Sequence, residues 1–98
     1  MMFSSISFGA VFKNGNELYE QLKYKDSNVI VENVQYLIGT GYVLGVVDSR
    51  FSKCNFDNVI ASQLFDTVLM YLTNFPERRQ YTASSLVEVS IKEKFKCK

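Results

Sequence analysis

From Asn33 to Val47 this chain of 98 residues carries no charged side chain, although charged residues make up 21% of the whole and bracket the stretch at Glu32 and Asp48. Its residues support two readings. Val, Ile and Tyr favour strands, and Gly39-Thr40-Gly41 could close a hairpin pairing Val34–Ile38 with Tyr42–Val46. A helix would be apolar nearly all round, which suits the central, buried element of a small bundle. Gly41 and Gly45 would then lie four apart on one face, where missing side chains let another backbone approach closely. Pattern alone leaves both readings open.

The flanking segments are helical in pattern. A short first segment is predicted near Asn16 to Lys25, with Leu18, Leu22 and Tyr19 on its apolar face. Asp26-Ser27-Asn28 can cap the second, which runs to about Phe51. Between about Val59 and Asn74, Ala61, Leu64, Phe65, Val68, Leu69 and Leu72 recur at three- and four-residue steps, and Pro76 stops that helix. The last begins at Thr82, a good N-cap, and reaches about Phe95 with Leu86, Val87, Ser90 and Ile91 inward. Lys92 and Lys94 complement its dipole. No repeat or linker interrupts the chain, and its length supports one domain, residues 1–98, with 1–12 uncommitted.

Histidine is absent. That excludes Ser-His-Asp and Cys-His machinery, the H-E-x-x-H metal site and a histidine pH switch. Two Cys cannot complete a four-ligand zinc site without it. A net charge of +1 leaves no electrostatic footprint for nucleic acid. No uncharged apolar run reaches the 18 or so residues that suggest a membrane span. Asp48 and Asp57 flank the Cys54 region, but nothing in their spacing forces them together for acid and base work, and Ser84-Ser85 has no base to activate it. The residues thus point away from an enzyme, and no cofactor is implied.

Cys54 and Cys97 fit either a pair of reduced thiols or one disulfide. Neither lies in an apolar periodic segment, and a bridge would close a loop of about 44 residues, destabilising the unfolded chain by roughly 4 kcal/mol. The N-terminus lacks the basic region and cleavage pattern of a secretory signal, so an exported form would have lost its signal already. The charged turn Pro76-Glu77-Arg78-Arg79 reads either as a solvated corner or as a polar contact for an acidic partner.

Three stretches in order carry a resemblance. They are Gly41-Tyr42-Val43-Leu44-Gly45-Val46-Val47-Asp48; Cys54 with Gln63, Leu64, Tyr71 and Leu72; and Pro76-Glu77-Arg78-Arg79 leading to Phe95 and Cys97. The series G-Y-x-x-G-V-x-D, C-x8-Q-L, Y-L-x3-P-E-x-R and F-x-C resembles the Rap/Tai immunity proteins, which protect bacteria from peptidoglycan amidases delivered by type VI secretion. The resemblance covers roughly Leu18 to Cys97. It implies an all-α, single-domain bundle of about four helices, the second segment helical, a Cys54–Cys97 disulfide and a periplasmic location. It also implies a partner, a papain-like Cys-His amidase whose cleft is blocked, often by a homodimer. Family members often carry a further cysteine pair near the positions of Leu22 and Gly39, so packing there must rest on apolar contacts. Where this chain has Gln80, the family often has His, so that His is not indispensable to inhibition. Ile60 stands where a capping Thr is common, which weakens or shifts the start of the third helix.

The expectation is a stoichiometric inhibitor that fills the amidase cleft. Its first candidate contacts are Asp48, Ser49, Arg50, Lys53, Asn55 and Asp57, in a loop that the disulfide would hold at one end. Glu77, Arg78, Arg79 and Gln80 form the second. The competing expectation is a non-inhibitory helical dimer of the cell envelope, paired through the second helix.

Overall fold

Every regular element that the computed structural model describes, over residues 13–54 and 56–95, is helical. The four helices are α1 (Gly15–Leu22), α2 (Ile30–Arg50), α3 (Ala61–Asn74) and α4 (Ala83–Phe95), with a 3-10 turn at Pro76–Arg78. The sequence expectation for residues 1–12 and for Cys97 falls outside the described residues.

α1 opens on a capping box. The Asn14 side chain accepts from the Glu17 N–H at 2.9 Å, and the Glu17 carboxylate accepts from the Asn14 N–H at 3.0 Å. Two otherwise orphaned donors are thereby satisfied, and the helix starts at Gly15. α1 is shorter than its sequence pattern suggests, ending at Leu22 with Lys23 as C-cap.

The uncharged stretch is one continuous helix. A two-residue hairpin turn needs positive φ, and no described glycine has it. Gly39 serves a different purpose, since a Cβ built there would lie 3.0 Å from Cβ of Gln21 and 3.1 Å from Cδ2 of Leu22, so α1 and α2 meet across it. α2 is nevertheless not the central, fully buried element that its composition suggests. Only Gly39, Thr40, Val43, Val46 and Val47 are buried, the Thr40 hydroxyl being satisfied by donating to the Leu37 carbonyl at 3.0 Å. Gly41 and Gly45, the pair expected to admit a neighbouring backbone, face outward, and a Cβ added at either would have nothing within 4 Å. α2 has 21 residues and a mean hydropathy of 1.3 over its most apolar stretch, long and apolar enough to cross a membrane by those measures alone. The uncharged run itself stays shorter than 18 residues, and one face of the helix is committed to the core.

α3 starts at Ala61, later than the apolar period suggests. Ile60 brings no capping hydroxyl. Gln63 compensates, its Oε1 accepting from the Ile60 N–H at 2.8 Å. α4 keeps its expected inner face of Leu86, Val87, Ser90 and Ile91, and the buried Ser90 hydroxyl donates to the Val87 carbonyl at 2.9 Å. Leu18 and Leu22 from α1 meet Val43 and Val47 from α2, Val68 and Leu72 from α3, and Val87 and Ile91 from α4 in one core. Full burial of each such side chain contributes about 1.5–3 kcal/mol.

A second tie closes the bundle. The entry to α1 runs antiparallel to the entry to α4: Gly15 N–H donates to the Tyr81 carbonyl, Asn16 N–H to that of Arg79 and Ala83 N–H to that of Lys13, at 2.8–2.9 Å. Gly15 is needed for this approach, because a Cβ there would sit 2.4 Å from Leu86 Cδ1 and 2.8 Å from the Arg79 backbone.

Candidate partner-binding surface

The first expected contact segment is only partly a loop. Asp48, Ser49 and Arg50 belong to the last turn of α2. Ser49 donates its hydroxyl back to the Val46 carbonyl at 3.1 Å, and Arg50 pairs with Glu88 of α4 at 2.6 Å, Glu88 also reaching Lys92 at 3.7 Å. Arg50 thus ties α2 to α4. Asp48 is exposed on the same turn, Lys53 and Asp57 are exposed beyond it, and Asn55 lies outside the described residues. The segment is pinned by aromatics. Phe51 is buried, its ring meets that of Phe56 at 6.3 Å between centroids, and Phe56 stands edge-on to Phe95 at 5.9 Å. Asn58 has φ 66°, a left-handed conformation that Asn tolerates better than most residues. Cys54 is half-buried within this cluster.

The second segment, Glu77 to Gln80, is a structured corner. Arg78 lies with its guanidinium 4.4 Å from the Phe75 ring centroid and donates from Nη1 to the Tyr71 hydroxyl at 2.8 Å, a bond that raises the Arg78 pKa further above its ordinary value. Arg79 stacks 3.7 Å over the ring of Tyr19 in α1, and its Nε donates to the Leu72 carbonyl near the end of α3 at 2.8 Å. Both arginines therefore hold the corner against the bundle, while Glu77 and Gln80 are exposed to solvent, where a partner can meet them. Sequence spacing could not reveal the Tyr19–Arg79 stack, because its members come from opposite ends of the chain.

Between the two segments runs a groove of about 510 Å³ along the α3–α4 seam. Phe95 lines it toward the aromatic cluster and Phe75 toward the corner, with Met70, Tyr71 and Glu93 between. Among the described residues, no group of three or more Cys, Asp or Glu is arranged to hold a metal ion.

A third surface lies on α2. Ile30, Val31, Val34, Leu37, Ile38 and Leu44 are exposed, Ile30 by 78% and Leu37 by 66%. Residues 30, 34, 37, 41 and 44 follow the alternating four- and three-residue steps of a helix-pairing seam. That signal is legible in the sequence but is equally consistent with burial.

The sequence model of the family described as Rap1a immunity proteins matches residues 14–97. No curated protein and no solved structure gives a match.

Proposed function

Because the chain belongs to the Rap1a immunity protein family, we propose that the bacterial effector it protects against is a peptidoglycan amidase delivered by type VI secretion, and that protection consists of occluding the amidase cleft. The family match over nearly the whole chain is the observation that carries this reading. Blocking a cleft requires no chemistry from the inhibitor, which suits a chain without histidine. The exposed residues Asp48, Lys53, Asp57, Glu77 and Gln80, together with Arg78, are the candidate contacts. The nucleophile and its base belong to the amidase.

A periplasmic protein meets such an effector where its substrate lies, and an oxidising compartment permits a Cys54–Cys97 bridge. Phe56 and Phe95, each two residues from one of these cysteines, are in ring contact, which supports the pairing. The uncharged outer face of α2 supports a homodimer formed helix against helix. Such a face suits a partner present throughout the protein's life better than one met only during attack, since permanent interfaces are the more apolar ones. A non-inhibitory helical module would use the same face, and binding to the effector separates the two readings. Titration calorimetry with the amidase encoded beside this chain should give a saturable complex with one amidase per chain. Absence of heat and of co-elution at micromolar concentrations would remove the inhibitory reading and leave the helical module.

A further inference from the structure

We propose that Arg79 is a positioning residue for effector recognition: it fixes the Pro76–Gln80 corner in the one conformation that presents Glu77, Arg78 and Gln80 to the partner. The inference rests on the inhibitory reading above and deepens it.

Two helices, α1 and α3, meet at this residue. Its guanidinium plane covers Tyr19 of α1 at 3.7 Å, its Nε bonds the Leu72 carbonyl in α3 at 2.8 Å, and its own carbonyl accepts from Asn16 N–H at 2.9 Å. The Leu72 carbonyl lies in the last turn of α3, where main-chain acceptors lack an intrahelical partner, so the bond also caps the helix. The corner itself is held by short-range bonds from Arg78 N–H to the Phe75 carbonyl, Arg79 N–H to that of Pro76 and Tyr81 N–H to that of Arg78. Such bonds define a turn but do not orient it on the bundle. The Gly15 and Asn16 amides and the Arg78–Tyr71 bond seat it there, and the Arg79 side chain fixes its orientation against α1 and α3 together, Gly15 permitting the close approach.

A lysine could keep the charge at this place but not the geometry. It has no planar group to lie flat on Tyr19 while donating in-plane to a carbonyl. An untethered corner would sample several orientations, and apparent affinity falls by the fraction of molecules that are competent to bind. Ordering the segment in advance removes that loss.

The test uses the full chain and the neighbouring amidase. Arg79→Lys should weaken the complex by about tenfold, mainly in the association rate, while far-UV helicity is retained. Tyr19→Leu, which removes the stack and leaves the Leu72 bond available, should do the same to a smaller extent and keeps the test usable if Arg79→Lys folds poorly. Glu77→Ala with Gln80→Ala measures the contacts directly. Adding Arg79→Lys to that double variant should cost clearly less than it does in the wild-type chain, because two of the three residues that Arg79 positions are already gone; a role in general stability alone would leave the two losses multiplicative. Amide exchange at residues 77–80 of the free protein should quicken in both positioning variants. Wild-type-like affinity in Arg79→Lys and Tyr19→Leu, no effect of Glu77→Ala with Gln80→Ala, or fully multiplicative losses would each overturn the proposal. Failure of the wild-type chain to bind would instead overturn the inhibitory reading beneath it.

Discussion

Leu22 occupies the space that Gly39 leaves empty: a Cβ on Gly39 would lie 3.1 Å from Leu22 Cδ2 and 3.5 Å from its Cγ. These are the positions near which the resembling proteins often carry a further cysteine pair, so an apolar side chain set into a glycine notch stands here in place of a covalent staple. Leu22 is completely buried. Leu22→Ala should therefore cost about 2–5 kcal/mol of unfolding free energy, and Gly39→Ala about 1–3 kcal/mol through overpacking. Urea denaturation monitored by circular dichroism checks both.

The other two glycines of α2 predict the opposite. An added methyl at Gly41 or Gly45 meets nothing within 4 Å, so Gly→Ala at either position should stabilise the monomer by up to about 1 kcal/mol through helix propensity. If α2 pairs with itself in a homodimer, Leu37→Glu should convert the dimer to a folded monomer in sedimentation equilibrium. A wild-type protein that is monomeric at tens of micromolar would contradict pairing through this face.

A Cys54–Cys97 bridge would have its own signature. Alkylation of the non-reduced, denatured protein should add no mass, and alkylation after reduction should add two groups. Cys54→Ser should then lower stability by about 2–4 kcal/mol. Two additions without reduction would show free thiols and remove the support that the bridge lends to export.

Alkaline pH should erode stability through identifiable groups. Burial raises the Tyr36 phenol above its ordinary value of 10.0, with a smaller push from Asp66, and the hydrogen bond to Asp66 raises the Lys25 ammonium above 10.5. Each group holds its proton more tightly folded than unfolded. Their contributions are complete below the unfolded values and fade as pH climbs through the raised ones. The denaturation midpoint should fall above about pH 10, and Tyr36→Phe should make that fall shallower.

Much of this architecture is legible in the residues. α3 and α4 follow from apolar steps of three and four, because each presents one stripe to a core and a polar face to solvent. α2 is not decidable in that way. Its Val, Ile and Tyr suit a strand, and the approach of Gly39 to Leu22 that seats it against α1 is a contact that periodicity does not encode. Its burial escapes the sequence for a related reason: an apolar residue such as Leu37 or Ile30 reads identically whether it faces the chain's own core or an outer surface. At the corner, Arg78 and Arg79 read in sequence as cations available to a partner. Arg79 is taken up instead by Tyr19 and the Leu72 carbonyl, Arg78 stays exposed while resting on Phe75 and Tyr71, and only folding brings Tyr19 to Arg79.

The most direct measurement is peptidoglycan cleavage by the neighbouring amidase, followed by muropeptide release, with increasing amounts of this protein. Cleavage should fall linearly with added protein and reach zero at one chain per amidase. Undiminished cleavage at a severalfold molar excess of folded protein would contradict inhibition by cleft occlusion.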